Sequence, residues 1–92
     1  MPYQPPTRNV TYRRLVSLSS FERALKAADL SGTECAKLAD TSPQYVNAIR
    51  RGYRRHVSTG LARRIEKALR VEPGTVFALS ELTTADIRKT AA

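Results

Sequence analysis

Apolar residues recur at helical spacing along most of the chain. A first helix is predicted by "FERALKAADL", in which Phe21, Leu25 and Ala28 share one face and Ser19 or Ser20 can serve as the N-cap. A later helix is predicted by "GLARRIEKALR". Its inward positions are Leu61, Ala62, Ile65, Ala68 and Leu69. The chain therefore reads as one small helical domain, since 92 residues suffice for a single modest core.

Two shorter helices are predicted between these, separated by a tight turn. Ser31 followed by Glu34 fits a capping box, which opens the second helix. Ser42 as N-cap and Pro43 as first helical residue open the third, and Gly52 ends it. Two short helices joined in this way have the geometry of a helix-turn-helix, whose second helix lies in the DNA major groove.

The two ends of the chain are less regular. Pro2, Pro5 and Pro6 disfavour a helix at the start, and residues 10–18 fit either a short strand or a helix. The stretch "PGTVFAL" after the fourth helix predicts a fifth, and the tail from Ser80 is expected to serve either in dimerisation or as a frayed helix at "TADIRK". The expected divisions are an N-terminal arm (1–18), a helix-turn-helix domain (19–79) and a C-terminal tail (80–92).

The charge of the chain favours a polyanionic partner. There are 16 Lys and Arg against 8 Asp and Glu, a formal net charge of +8, and Glu66 is the only acid between Arg50 and Arg70. Arginine dominates this stretch, which suits bidentate contact with phosphate or guanine. Nucleic acid is the first candidate, and a merely solvated basic face is the alternative.

The stretch "LSGTECAKLADTSPQYVNAIRRG" resembles the phage repressor/Cro-like helix-turn-helix family. The positions that follow the family's pattern are Leu30, Ser31, Ala36, Val46, Ile49 and Gly52. Downstream, "LARRIEKALRVEPGTVF" is similar to the family's fourth and fifth helices. The resemblance implies an all-α fold, namely a compact five-helix lambda repressor-like domain with a basic N-terminal arm and a short C-terminal tail. It also implies a DNA-binding regulator of phage or bacterial type that acts as a repressor or Cro-like protein.

Four positions depart from the family's pattern. Asp40 in the turn and Arg70 after the fourth helix stand where glycine is usual, and we expect a left-handed backbone at Asp40. Cys35 replaces a leucine, and Leu38 occupies a position that is often polar. We therefore predict that Leu38 docks the extra segment 10–18 of the same chain or of a partner.

If the third helix enters the major groove, its N-terminal and outward side chains read the bases. These side chains belong to Ser42, Pro43, Gln44, Asn47, Ala48 and Arg51. Gln44 and Asn47 suit adenine, Arg51 suits guanine or a phosphate, and Ala48 suits a thymine methyl group. Contacts to the DNA backbone are predicted for Tyr45, Arg50, Tyr53, Arg54, Arg55 and His56. The remaining basic residues, which fit either an arm in an adjacent groove or a solubilising tail, are Arg8, Arg13 and Arg14.

Other functional classes fit the sequence less well. One cysteine, Cys35, and one histidine, His56, cannot supply a four-ligand zinc site, and there is no phosphate-binding glycine loop. No enzymatic activity, cofactor or metal is therefore expected. No segment approaches a membrane span or a signal core, which predicts a cytoplasmic protein. Double-stranded DNA is the expected partner, and a monomer and a homodimer formed on DNA both remain open. The main alternative is an antitoxin-like or anti-repressor module that binds a protein.

Overall fold

The computed structural model describes residues 10–90 and shows a mostly helical domain. Its elements, in chain order, are β1 (Tyr12–Arg14), α1 (Leu18–Ala28), α2 (Gly32–Leu38), α3 (Pro43–Arg50), β2 (His56–Ser58), α4 (Thr59–Leu69) and α5 (Thr84–Thr90). The expectation of an all-α fold is wrong in one respect, because β1 and β2 form a two-stranded antiparallel sheet. Helices nevertheless make up most of the described chain.

The sheet ties the start of the described chain to the segment after α3. Its paired residues are Tyr12 with Ser58, Arg13 with Val57, and Arg14 with His56. Beyond the sheet, Leu15 N–H donates to Arg55 O at 2.7 Å. Residues 10–18 thus contain a strand. The prediction that Leu38 docks this segment of the same chain is wrong, because the strand pairs with β2 while Leu38 stays exposed.

The N-cap of α1 is Ser17, rather than Ser19 or Ser20. Ser17 Oγ accepts a hydrogen bond from the backbone N–H of Ser20 at 3.0 Å and donates one to the Ser20 hydroxyl at 2.8 Å. The helix consequently starts at Leu18, whose side chain packs on the core. The earlier start adds one apolar contact to the buried face of α1.

The predicted helix at residues 73–79 does not form, and these residues adopt turns and a loop. Glu66 explains the difference. Its Oε2 accepts hydrogen bonds from the backbone N–H groups of Gly74 (3.0 Å), Val76 (3.1 Å) and Phe77 (3.2 Å). These donors are therefore not available to a helical ladder, and Gly74 has a φ of 93°, outside the helical region. The structure's fifth helix is α5, in the segment where a frayed helix is one of the two expectations.

One hydrophobic core joins α1 to α4 and is closed by the loop that follows α4. Its fully buried side chains include Phe21, Phe77, Ile49, Ile65, Val46, Val57, Val76 and Cys35. Two charged side chains share this interior, Arg13 with 6% and Glu66 with 3% of its surface exposed. Their atoms Nη1 and Oε1 lie 3.9 Å apart, so β1 and α4 are joined by a buried ion pair.

The first four helices end in a left-handed residue. This residue is Asp29 after α1 (φ 57°), Asp40 after α2 (φ 57°), Gly52 after α3 (φ 82°) and Arg70 after α4 (φ 58°). The expected left-handed backbone at Asp40 is therefore confirmed. A glycine accommodates this conformation without strain and Asp tolerates it better than most other residues, so the backbone strain falls mainly on Arg70.

Candidate nucleic-acid interface

A well-defined turn joins α2 to α3. After α2, Thr41 N–H donates to Ala36 O at 2.9 Å, and the left-handed Asp40 reverses the chain direction. Ser42 Oγ then accepts from Tyr45 N–H at 3.1 Å and caps α3, as the sequence predicted. The end of one helix and the start of the next are both satisfied within a few residues, so the angle between α2 and α3 is set locally.

Arg64 of α4 holds this turn from outside. Its Nε donates to Ala39 O at 2.9 Å, a carbonyl at the C-terminal end of α2 that no later helical residue can satisfy. This role of Arg64 is not apparent from the sequence, because the partners are 25 positions apart and no local motif marks them. Arg64 therefore helps to position α3 without belonging to it.

α3 presents a polar face above an apolar one. Val46 and Ile49 are fully buried against the core, which fixes the rotation of the helix about its axis. The predicted base-reading positions Ser42, Pro43, Gln44, Asn47 and Arg51 are all exposed, with Ala48 half-buried among them. The structure thus brings these six residues together on or beside the outward surface of one helix.

The loop after α3 adds an aromatic and cationic surface next to this helix. Tyr53 is 78% exposed, and Arg54 and Arg55 are exposed as well. The guanidinium carbon of Arg54 lies 4.7 Å from the centroid of the Tyr45 ring, within the range of a cation–π contact. This contact connects the first turn of α3 with the loop beyond its end, so two predicted backbone-binding residues share one patch.

Arg50, another predicted backbone contact, has a partner inside the protein. Its Nε and Nη2 donate to the carboxylate of Glu22 at 2.7 and 3.1 Å, which ties the end of α3 to α1. The hydrogen bond from Arg50 holds the pKa of Glu22 below its usual range. The ion pair passes close to Gly32, where a Cβ would lie 3.1 Å from Arg50 Nη1. A DNA phosphate would have to compete with Glu22 for this guanidinium.

Three cationic or titratable side chains meet at the edge of the sheet. Arg14 and His56 are cross-strand partners, and Arg55 precedes His56. All three line one hollow together with Ser80, and no acidic residue lines it. Among the described residues, this hollow is a second concentration of positive charge beside the loop that follows α3.

The other two predicted arm residues have different outcomes. Arg13 points into the interior, where it is 6% exposed and faces Glu66. This burial removes Arg13 from the set of side chains that can reach DNA. Arg8 lies outside the described residues, as does the first half of the predicted arm. Arg14 is thus the arm residue that the structure places near the other predicted contacts.

Cys35 is fully buried, and burial raises the pKa of its thiol, so it packs as a small apolar side chain. Within residues 10–90, no group of three or more His, Cys, Asp and Glu side chains gathers in a way that could hold a metal ion. None of the helices in this range is long and apolar enough to span a membrane.

Comparison with protein families adds one finding to this geometry. A family model described as helix-turn-helix matches residues 21–76, more than half of the chain. The matched range includes most of α1 and all of α2, α3 and α4. Comparisons with curated proteins and with solved structures give no match.

Proposed function

The chain belongs to the Cro/C1-type helix-turn-helix family of DNA-binding transcription regulators, and we propose that it binds a specific double-stranded DNA site as a repressor or Cro-like protein of phage or bacterial type. One observation carries this proposal. The buried Val46 and Ile49 orient α3 so that Gln44, Asn47 and Arg51 are exposed, beside a loop that carries Arg54 and Arg55.

The residues divide into two roles in this proposal. Gln44 and Asn47 each offer a hydrogen-bond donor and an acceptor to a base edge in the major groove. Tyr45, Tyr53 and Arg54 contact phosphates, which position the protein without reading sequence. The edge cluster of Arg14, Arg55 and His56 extends the phosphate contacts beyond the loop. The main role of Arg50 is to orient α3 through its ion pair with Glu22, and a phosphate contact is secondary.

Regulation then requires no cofactor. A protein bound over a promoter excludes RNA polymerase by occupying the DNA. A DNA partner also implies that the protein acts in the cytoplasm. The high net charge makes the nonspecific part of the affinity strongly dependent on salt. Sequence preference should therefore emerge most clearly near physiological salt, where nonspecific binding is weak.

Selection of binding sites from a random duplex pool tests the proposal. Enrichment of an inverted repeat with half-sites about one helical turn apart would support a dimer on DNA, and a single short motif would support a monomer. Binding at low salt with no enriched sequence would contradict the proposal of a specific regulator, because it would leave only backbone contacts.

Two variants and a matched control then separate the two roles. Gln44→Ala is expected to cost about 1–3 kcal/mol on the selected site and to relax the preference at one base pair. Arg54→Ala should weaken all sequences about equally and reduce the slope of log K against log salt by roughly 0.9. Lys67→Ala, the control, removes an exposed charge from α4. It should change the DNA affinity and the salt slope less than Arg54→Ala does. Equal losses on selected and random DNA for Gln44→Ala would contradict its assignment as a base contact.

The second candidate function is an antitoxin-like or anti-repressor module that binds a protein. It would use the same helical domain, and the exposed apolar Leu38 favours it, because an apolar side chain can pack against a partner protein. A protein partner that blocks DNA binding, together with failure of the site selection, would favour this alternative.

A further inference from the structure

A second surface of the domain, to which α3 contributes no lining residue, combines exposed apolar side chains with positive charge. It consists of two adjoining hollows of about 420 and 400 Å³ at the C-terminal ends of α1, α2 and α4. We call it the α2–α4 groove. Its lining includes Leu30, Leu38, Arg64, Lys67, Ala68 and Val71. Leu38, Ala68 and Arg70 line both hollows, so the two form one continuous depression.

Leu38 is the exposed large apolar side chain of this groove. This residue is the last of α2 and is 63% exposed, and no strand or helix of the described chain covers it. Leu30 and Val71 lie beside it as partly buried residues that also touch the core. Leu38 therefore gives the groove an exposed apolar contact point that its two hollows share.

The charge around the groove determines which partner fits. Its charged lining residues are Arg64, Lys67 and Arg70, and no acidic residue lines it. Arg64 is held at the rim by its hydrogen bond to Ala39 O. A second copy of this chain would bring another net charge of +8. Residues 1–9 and 91–92, outside the described range, offer no acidic side chain either.

We propose that the α2–α4 groove binds an acidic amphipathic segment of a partner protein. The partner's apolar side chains would pack on Leu38 and Ala68, while its carboxylates would pair with Arg64, Lys67 and Arg70. This follows the general mode in which an amphipathic helix lays its apolar face into a groove. Because α3 does not line the groove, the partner would not occupy the face that carries Gln44, Asn47 and Arg51.

Nuclear magnetic resonance of the full-length, ¹⁵N-labelled protein tests the proposal with two synthetic peptides. Both carry leucines at the same helical spacing, one with glutamates and the other with lysines at the remaining positions. The glutamate peptide is expected to shift the amide signals of Leu38, Ala68 and Val71, and the lysine peptide is not. Leu38→Gln removes the apolar contact without adding charge and should weaken the glutamate peptide about tenfold. Arg54→Ala, which changes the predicted DNA surface, should alter that affinity less than about twofold.

Four outcomes would overturn the inference. One is that no signal shifts, and a second is that the shifts are confined to α3 and the loop at 51–55, where an acidic peptide would merely mimic DNA. A third is equal binding of both peptides, which would remove the role of charge. The fourth is concentration-dependent self-association that Leu38→Gln abolishes, which would make the groove an interface between two copies. The test contains no DNA, so its failure is distinct from failure of the site selection above.

Discussion

Glu66→Ala removes a carboxylate that α4, β1 and the loop at 74–77 share. Three backbone N–H groups, at 3.0 to 3.2 Å, would lose their acceptor. Arg13, 6% exposed, would lose the opposite charge that faces it at 3.9 Å. Removing one partner of a buried ion pair typically costs about 3–5 kcal/mol, because the other charge stays buried without compensation.

The ion pair with Arg13 and the hydrogen bonds to the loop involve different oxygens of Glu66. Among the described residues, Arg13 Nε, Arg13 Nη1 and Glu66 Oε1 have no hydrogen-bond partner, so the ion pair is not reinforced by direct hydrogen bonds. Oε2, in contrast, accepts all three backbone bonds. Glu66→Gln keeps an oxygen acceptor for the three N–H groups but, like Glu66→Ala, leaves Arg13 without a counter-charge, so we expect it to cost about 1–2 kcal/mol less than Glu66→Ala. Since a domain of this kind is stable by only about 5–15 kcal/mol, Glu66→Gln is the variant that stays measurable.

Urea unfolding followed by circular dichroism measures these differences, and Glu72→Gln is the matched control. Glu72 is exposed, so the same chemical change there should leave the free energy of unfolding within about 0.5 kcal/mol of the parent. Hydrogen exchange of the Val76 and Phe77 amides should accelerate in Glu66→Gln more than exchange of the α3 amides. Equal unfolding free energies for the variants at 66 and 72 would refute the reasoning.

A double-mutant cycle with Arg13→Met isolates the charge pair. Arg13→Met should cost less than Glu66→Ala, because the carboxylate keeps its three N–H donors. Combining the two changes should cost less than the sum of the single effects, since the double variant leaves no lone buried charge. Strict additivity would show that the two side chains do not compensate each other.

Three further predictions concern strain, pH and capping. Arg70 adopts φ 58°, so Arg70→Gly should stabilise the protein by about 1 kcal/mol in urea unfolding, whereas Arg70→Val should destabilise it. No gain in stability for Arg70→Gly would show that the strain is absent. The pKa values of Glu22 and Glu34 lie below their usual range, because Glu22 accepts hydrogen bonds from Arg50 and Glu34 accepts one from the Ser31 backbone. Thermal stability should therefore fall as the pH drops below roughly 4.3, the ordinary pKa of Glu, and both carboxylates become protonated. Glu22→Gln should flatten that fall, and an unchanged pH profile would contradict the assignment. Ser42→Ala should lose about 1 kcal/mol of stability through the α3 cap, whereas Ser42→Asp should keep the cap but weaken DNA binding through its charge. Equal DNA affinity for Ser42→Asp and the parent would place Ser42 away from the DNA.

The parts of the structure that local signals specify were predicted from the sequence. Ser31 with Glu34 forms the expected capping box, with bonds of 3.0 and 3.1 Å, and Ser42 caps α3. Such caps act over three residues, so the starts of α2 and α3 do not depend on the rest of the fold. The apolar spacing of Val46 and Ile49 likewise determined which face of α3 is buried, and hence that Gln44 and Asn47 are exposed.

The parts that depend on distant partners were not predictable in the same way. The stretch at 73–79 has helical spacing, yet Glu66 on the preceding helix captures its amide donors. Arg13 and Arg14 look alike as neighbours in a basic arm, but the alternation of a strand turns one into the core and leaves the other exposed. Which arginine is buried depends on the register with β2.

The sequence by itself determined the starts of α2 and α3, the buried face of α3 and the positive charge beside it, because capping, periodicity and charge are properties of short segments. Only the tertiary structure decided that the first strand pairs with β2, that Arg50 binds Glu22, that Arg64 holds the turn and that Leu38 stays exposed. Each of these depends on groups far apart along the chain. Their meeting reflects the packing of the whole core, which no short stretch of sequence encodes.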